Sequence, residues 1–328
     1  MFQVWMKCPR LENQAEPALT THFKTPAYIT QGSMQWLWDH SGKRYLDLFG
    51  GIVTVSVGHC HPKVNQALKD QVDTLWHTTN IYLHPKIHEY AERLVATLPE
   101  PLTNVYFVNS GSEANDMAMY MARLYTGNFD LLSFRNSYHV PCLRQYLEQL
   151  DDVLVHSIPK GKSLVDSSPS LSKVSVEQFN TQRGHDVVPD IVTMAKGIGN
   201  GFPMAALVTT KEIADVMSQA IHFNTFGGNP MASAVGIAVL DALKEDRCQE
   251  NSANVGTYFL KQLGDLRSQY KTIGDVRGKG LMIGIEMVED KDSRKPLAGA
   301  KMMAVWEDVK NMGVLLGKGG LNGNVFPN

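Results

Sequence analysis

Lys196 stands between an apolar run and a glycine-rich turn, in the stretch PDIVTMAKGIGNGFPM at residues 189–204. A lysine held where water is scarce shifts toward its neutral amine, because desolvation disfavours the ammonium form. Only the neutral amine attacks an aldehyde, so this position suits a lysine that forms a Schiff base. Gly197, Gly199 and Gly201 would let the backbone pass close to a flat cofactor. From this stretch alone, an ordinary solvated lysine in a glycine loop is an equally good interpretation.

The stretch NVYFVNSGSEANDMAMY at residues 104–120 predicts a strand, a tight turn and the start of a helix. Ser110 or Ser112 can cap that helix, and Gly127 is the expected stop. Backbone N–H groups in such a turn, together with the positive end of the helix dipole, bind a phosphate without lysine or arginine. Many strand-to-helix turns carry glycine and serine for geometry alone, which is the structural alternative.

Together these stretches resemble the class III pyridoxal-phosphate (PLP) aminotransferases. NSGSEAND resembles the family's phosphate-binding turn, and TMAKGIGNGFPM resembles its Schiff-base lysine segment. TFGGNP, residues 225–230, resembles the threonine motif that reaches the phosphate of the neighbouring subunit. SVGHCHP (residues 56–62) and VRGKGLMIGIEM (residues 276–287) are also similar to family landmarks. The resemblance covers residues 25–139 and 185–325.

The resemblance assigns expected roles to individual residues. The implied cofactor-binding residues are Gly111, Ser112, Tyr138, His139, Lys196 and Thr225. Lys196 would be the Schiff-base lysine and the general base for the proton shift. Gly111 and Ser112 would take the phosphate, and Tyr138 would lie against the pyridine ring with His139 beside it. The threonine would reach across a homodimer interface.

The resemblance also implies a fold and an activity. The expected fold is the type I PLP-dependent transferase fold, an α/β architecture with a mostly parallel large-domain sheet and a smaller C-terminal α/β domain. The expected reaction is a ping-pong transfer of an amino group from an amino acid, best matched by alanine, to a 2-oxo acid such as glyoxylate. The cofactor would be pyridoxal 5′-phosphate, which stores the carbanion electrons in its ring. A lyase acting on a phosphorylated amine shares this scaffold and is the alternative within PLP chemistry.

One family motif is missing from the sequence. The family carries Asp-Glu-x-Gln before the lysine segment, and its aspartate pairs with the pyridine nitrogen. This chain has no such motif, and its residues 140–184 are shorter and resemble nothing in the family. Asp151, Asp152 and Asp166 are possible but weak substitutes, because a positioned ion pair needs a rigid supporting structure. Without such a partner the electron sink would weaken.

The second departure is at the C-terminus. The family runs on past Asn-Val-Phe to an arginine that grips the substrate carboxylate, whereas this sequence reads VFPN at its end. Arg277 is a poorer alternative than its structural interpretation, a turn arginine in a small-domain strand. We therefore also consider a shortened or alternatively spliced form, or a catalytically impaired homologue that pairs with full-length subunits.

Composition limits the remaining function classes. The chain has 328 residues with 43% hydrophobic content, enough for a large core and two domains. Its net charge of −2 gives no basis for binding nucleic acid or a membrane surface. No apolar run approaches the length of a bilayer span. The scattered cysteines, without a C-x-x-C spacing, predict neither a disulfide framework nor a metal site, and His59-Cys60-His61 lacks ligand spacing.

The N-terminal sequence does not by itself indicate a cellular location. Residues 1–24 mix three basic residues with two acidic ones, unlike an acid-poor, arginine-rich mitochondrial presequence. A mitochondrial location is therefore implied by the resemblance alone.

Strand and helix patterns alternate along the chain, which predicts a parallel sheet flanked by helices. We predict an N-terminal segment at residues 1–50, a PLP-binding large domain at 51–235 with an atypical stretch at 140–184, and a small domain at 236–328. Beyond the two motifs, the predicted elements are helices from Pro62, Pro85, Pro230 and about Asn251, strands at 129–134, 281–287 and 314–316, and a helix at 302–309.

Overall fold

The computed structural model describes residues 22–79, 81–129, 176–178, 188–219 and 222–327. The strands, in chain order, are β1 (Ile29–Ser33), β2 (Trp36–Asp39), β3 (Arg44–Asp47), β4 (Asn104–Val108), β5 (Val176–Gln178), β6 (Ile191–Met194), β7 (Ala205–Thr209), β8 (Ile273–Lys279), β9 (Met282–Met287), β10 (Val314–Leu315) and β11 (Val325–Pro327). The α-helices are α1 (Gly50–Val53), α2 (Pro62–Val72), α3 (Pro85–Val95), α4 (Gly111–Thr126), α5 (Lys211–Asp215), α6 (Pro230–Glu245), α7 (Cys248–Gln269) and α8 (Gly299–Asn311). Two 3-10 turns lie at Lys196–Gly199 and Val216–Gln219.

The chain divides into two compact units. One contains the chain up to Ile52 together with Cys248 and all that follows, and the other runs from Val53 to Arg247. This division differs from the predicted boundaries, because it joins the N-terminal segment to the C-terminal region. The physical reason is that β3 pairs with β10 in a parallel register, a contact between residues far apart in sequence.

The sheet of the second unit has the order β4-β7-β6-β5. Three of these four described strands, β4, β5 and β6, run in the same direction, as expected for a mostly parallel sheet, whereas β7 runs antiparallel to its neighbours β4 and β6. Ten residues separate Met194 from Ala205, too few for the crossover helix that a parallel return requires. The mixture of sheet and covering helices agrees with the predicted α/β class.

Both faces of this sheet are covered by helices. On one face, α4 contributes Met117, Ala118 and Met121, which pack with Ile191 and Leu207. On the other face, α3 and α6 cover β4, β6 and β7 through a larger apolar cluster. The strand β7 is buried at all five positions, as expected for a strand enclosed between two helical layers. The two helical layers therefore hold the strand ends in fixed positions.

The described residues of the first unit include two small sheets and the helices α7 and α8. β1, β2 and β3 form an antiparallel meander that β10 extends, and β8, β9 and β11 form an antiparallel sheet. Its core includes Met302 and Trp306 of α8 together with Leu297 and Phe326.

Most sequence-predicted elements are confirmed. The helices from Pro62, Pro85 and Pro230, the helix near residue 251, the strand at 281–287, the helix at 302–309 and the strand at 314–316 correspond to α2, α3, α6, α7, β9, α8 and β10. The strand predicted at 129–134 lies outside the described residues apart from Phe129. Among the helices that the structure describes, none combines the length and apolar character that crossing a bilayer requires.

Candidate functional site

The two sequence motifs meet at one edge of the β4-β7-β6-β5 sheet. Val108, the last residue of β4, pairs with Ala205, and Met194, the last residue of β6, pairs with Ala206. The carboxyl ends of β4 and β6 therefore share an edge, and the turns that follow them leave from the same side. Because β7 lies between them, the two strand ends are about 10 Å apart. Ala195 packs against the cluster that contains Val108, which brings the lysine segment next to the start of α4.

The turn after β4 begins helix α4 as the sequence predicts. Ser110, not Ser112, is the N-cap: the Glu113 N–H donates to Ser110 Oγ at 3.2 Å. Gly127 ends the helix in the left-handed conformation, with a φ of 67°. Gly111 and Ser112 occupy the first helical turn, where N–H groups have no acceptor inside the helix. These two donors at the positive end of a 16-residue helix form a suitable phosphate cradle.

Lys196 begins the turn that follows β6. Its φ of 53° is unusual for a residue with a side chain, and such backbone strain costs about 1–3 kcal/mol. The turn is held by the segment SVG at residues 56–58. Ser56 Oγ donates to the Gly197 carbonyl at 2.6 Å, and the side chain of Asn200 both accepts from Val57 N–H at 3.0 Å and donates to the Gly58 carbonyl at 2.9 Å.

The expectation that Lys196 is kept away from water is wrong for the single chain. Its side chain is exposed, whereas all four residues of β6 are buried. The reason is its position: the lysine lies two residues beyond the last strand residue, on a turn that leaves the protected sheet. The strained backbone rather than burial is thus what distinguishes this lysine.

The loop that carries Thr225 joins the same edge. Gly227 packs so closely on the end of β4 that a Cβ atom there would lie 2.2 Å from the Phe107 carbonyl oxygen. Asn224 shapes the loop, because its Oδ1 accepts from the N–H groups of Phe226 at 3.3 Å and Gly227 at 2.8 Å. Thr225 itself is exposed. Three turns, after β4, after β6 and before α6, therefore surround one end of the sheet.

Two further polar residues of this edge were missed in the sequence. Glu113 Oε2 accepts from Asn109 N–H at 2.8 Å and from the side-chain amide of Asn224 at 3.2 Å. The pattern Ser110-x-x-Glu113 is a capping-box spacing that could have pointed to the glutamate. No local pattern could have shown that Asn224 also joins the turn after β4, because Asn109 and Glu113, its partners there, lie more than 100 residues away in sequence.

The other predicted residues do not contribute described geometry to this edge. Tyr138 and His139 lie outside the described residues, as do the three aspartates considered for the pyridine nitrogen. Arg277 donates to Asp275 at 2.8 Å and to Glu286 at 2.7 Å, and its hydrogen bond to Asp275 is the main reason that its pKa is raised. These two carboxylates support the structural interpretation of this arginine.

The pair of histidines around Cys60 also has structural partners. His61 caps α2, since its Nδ1 accepts from Lys63 N–H at 3.2 Å, and its Nε2 lies 2.9 Å from Asp246. Within the part of the chain that the structure describes, no group of three or more histidine, cysteine or acidic side chains is placed to hold a metal ion.

The donor set of this edge fits a phosphorylated aldehyde. A helix N-terminus offers N–H groups to a phosphate, and Lys196 offers a primary amine at the neighbouring strand end. PLP carries both a phosphate and an aldehyde, so Gly111, Ser112 and Lys196 are suited to that cofactor.

Comparisons with known proteins agree with this geometry. The family described as aminotransferase class-III matches residues 20–142 and 177–325. The chain is 42% identical to alanine–glyoxylate aminotransferase 2, mitochondrial, of Pongo abelii, covering 94% of this chain and 79% of the relative. It is 36% identical to alanine–glyoxylate aminotransferase 2 homolog 2, mitochondrial, of Arabidopsis thaliana, covering 94% and 80%.

A solved structure agrees as well. A phospholyase from Arthrobacter in complex with phosphoethanolamine superimposes with a TM-score of 0.81 at 29% identity, over 95% of this chain and 91% of that chain. This likeness confirms the α/β fold of the PLP-dependent transferases that the sequence predicted.

The family match is interrupted at the stretch that the sequence marks as atypical. Residues 143–176 lie outside the matched ranges. The alignment to the Pongo abelii relative is 406 positions long, whereas this chain has 328 residues. At least 78 of the aligned positions therefore have no counterpart in this chain. Even with this interruption the match covers most of the sequence. The chain therefore belongs to the class III aminotransferases, a family of PLP-dependent transaminases.

Proposed function

We propose that this chain binds PLP and transfers an amino group from alanine to glyoxylate. The observation that carries the proposal is the placement of Lys196 and the α4 N-terminus at one edge of the same sheet. The substrates are proposed from the two relatives named alanine–glyoxylate aminotransferase 2. Both carry the word mitochondrial in their names, which supports the same location for this chain.

Each residue at this edge would have a separate role, which follows from its position. Gly111 and Ser112 N–H groups would hold the phosphate, fixing one end of the cofactor. PLP, when bound, supplies an electron sink for the negative charge that develops on the substrate carbon. Lys196 Nζ would accept and give back the proton that is transferred, because its turn leaves from the same edge of the sheet. Tyr138 and His139 are proposed for the pyridine ring on the resemblance alone.

A second copy of the chain is the proposed partner at the Thr225 loop. The segments 75–83 and 222–226 expose several large apolar side chains, and His77 and Phe226 bring them together with ring centroids 5.5 Å apart. The exposed members are Leu75, Trp76, Ile81, Tyr82, Leu83, Phe223 and Phe226. A patch of this character on a soluble enzyme is typical of a subunit interface. Thr225, exposed between them, would then face the partner subunit's cofactor.

Two other functions have a specific observation behind them. The structural likeness to a phospholyase in complex with phosphoethanolamine favours a PLP-dependent lyase acting on a phosphorylated amine. The interruption of the family match at residues 143–176 favours an impaired homologue, because the resemblance expects the aspartate for the pyridine nitrogen between Tyr138 and Lys196, the region that contains this interruption.

Substrate profiling separates these functions. The purified chain is incubated with PLP and either alanine plus glyoxylate or phosphoethanolamine, with Lys196→Ala as the inactive control. Glycine and pyruvate without phosphate release support the aminotransferase. Phosphate release from phosphoethanolamine supports the lyase. If PLP becomes attached to Lys196 but neither product forms, the proposed activity is wrong and the impaired homologue is supported.

A further inference from the structure

One carboxylate oxygen connects two of the three turns. Glu113 Oε2 accepts three hydrogen bonds: from Asn109 N–H at 2.8 Å, from Asn109 Nδ2 at 3.1 Å and from Asn224 Nδ2 at 3.2 Å. Asn109 Nδ2 also donates to Asn224 Oδ1 at 3.0 Å. The three side chains thus form a closed triangle in which each contacts the other two.

The triangle joins segments that are distant in the chain. Asn109 and Asn224 are separated by 115 residues. Asn109 directly precedes the cap Ser110 and the phosphate-donor turn, and Asn224 directly precedes Thr225. The same Asn224 Oδ1 also holds the backbone of Phe226 and Gly227, so the amide fixes both the shape and the anchorage of its loop.

The hydrogen bonds of the triangle offset the negative charge of Glu113. A glutamate in the first turn of a helix is favourable to the helix dipole, yet it places a negative charge beside a site suited to phosphate. Because three donors converge on one of its oxygens, the carboxylate is turned toward Asn109 and Asn224 and its charge is offset there. The glutamate is exposed, so its hydrogen bonds with water compete and its contribution to global stability is small.

We propose that Glu113 and Asn224 are positioning residues, which lock the phosphate-binding turn of α4 to the Thr225 loop. This inference rests on the proposed function, since it assigns the phosphate of PLP to that turn. If Thr225 serves the partner subunit's cofactor, the same triangle ties the phosphate turn of one site to the loop that completes the other. The proposal concerns how well phosphate is recognised, and only weakly whether the chain folds.

The test compares PLP with pyridoxal, which lacks the phosphate, in direct binding titrations followed by absorbance. The variants are Glu113→Ala, Glu113→Gln, which keeps an acceptor oxygen, and Asn224→Asp, which replaces the amide donor with a second carboxylate. The matched control is Glu212→Ala. Glu212 is another first-turn glutamate; it lies on α5, away from the triangle, and accepts a hydrogen bond from the Tyr125 hydroxyl at 2.5 Å. Thermal unfolding of each apo variant reports whether it folds.

We expect Glu113→Ala and Asn224→Asp to weaken PLP at least fivefold while changing pyridoxal affinity by less than twofold. Glu113→Gln should recover most of the PLP affinity, and Glu212→Ala should leave both affinities unchanged. If Glu113→Ala fails to fold, the contrast between Glu113→Gln and Asn224→Asp carries the same test.

Two results would overturn the proposal. Equal weakening of PLP and pyridoxal, or an unchanged ratio in the folded variants, would show that the triangle is only structural while the proposed function stands. A wild-type chain that does not prefer PLP over pyridoxal would overturn the proposed function together with this inference.

Discussion

Gly227 shows how single residues set the candidate site. Its backbone lies against the end of β4, and any Cβ atom would come within 2.2 Å of the Phe107 carbonyl oxygen and 3.1 Å of the Asn224 side chain. The obstacle is backbone, so it cannot rotate away as a flexible side chain could. Glycine is therefore required for the Thr225 loop to reach the carboxyl edge of the sheet.

We expect Gly227→Ala to destabilise the chain by about 1–3 kcal/mol, because the new methyl group must displace the loop or the strand end. The matched control is Gly264→Ala on α7, where an added Cβ meets nothing within 4 Å. In an exposed helix interior alanine is favoured over glycine by up to about 1 kcal/mol, so the control should be neutral or stabilising. Urea unfolding midpoints measure both, and equal midpoints for the two variants would contradict the account.

The structural position of a residue was predictable where its neighbours in sequence determine it. Gly111, Ser112 and Lys196 lie on the two turns that the sequence indicated, and Ser110 caps as one of its two candidates. The exposure of Lys196 was not predictable, because it depends on which residues lie around the turn in space. The cofactor roles of these residues stay predictions.

At the scale of elements, α4 is the best-predicted part of the site and β7 the worst. Helix α4 has its cap, its apolar spacing and its glycine stop within one stretch of sequence. Strand β7, AALVT, carries no alternating pattern, because both its faces are buried by partners from elsewhere in the chain. Strand β8, IGDVRGK, contains two glycines and three charged residues, and its pairing with β9 overrides its weak strand propensity.

The cap of α4 gives a prediction at this scale. Ser110→Ala removes the acceptor of the Glu113 N–H and should cost about 1 kcal/mol of unfolding free energy. Ser110→Thr should restore most of it, since the hydroxyl is kept. Ser112→Ala, two residues further on, should leave the stability of the apo chain nearly unchanged. Chemical denaturation of the apo variants is the measurement, and a Ser112→Ala variant as destabilised as Ser110→Ala would contradict this assignment of the cap.

At the scale of the whole molecule, the described N-terminal residues are anchored on α8. Phe23 lies 4.3 Å from Trp306 between ring centroids, and Glu307 accepts from Lys24 N–H at 3.0 Å and Thr25 N–H at 3.3 Å. Lys310, nearly fully buried, bonds both the Thr25 carbonyl and Glu307. No local pattern predicts this contact, because it joins residues more than 280 positions apart.

This anchorage predicts a pH dependence. The hydrogen bond from Lys310, followed by those from the Lys24 and Thr25 backbones, lowers the pKa of Glu307 below its ordinary value of 4.5. A carboxyl group whose folded pKa is depressed stabilises the fold above its unfolded pKa, and that stabilisation is lost as pH falls through the folded pKa. The free energy of unfolding should therefore fall from pH 4.5 downward in the wild type, and fall less steeply in Glu307→Gln.

The control for this prediction is Glu92→Gln, an exposed glutamate on α3. Denaturant titrations at several pH values between 7 and 3 should show that the free energy of unfolding of Glu92→Gln falls with pH as steeply as that of the wild type. If Glu307→Gln and wild type lose stability in parallel over the acid range, the anchorage does not depend on the ionised carboxylate.

The central claim, that Lys196 serves a PLP site at the sheet edge, is tested most directly by trapping. The purified chain is mixed with PLP, its visible spectrum is recorded before and after alanine, and the complex is reduced with borohydride and mapped by peptide mass. We predict one dominant adduct on the peptide containing Lys196, and loss of the visible colour when alanine is added. The adduct should disappear in Lys196→Ala and persist in Lys211→Ala, an exposed lysine on α5. No adduct at Lys196, or a colour that alanine does not change, would contradict the account.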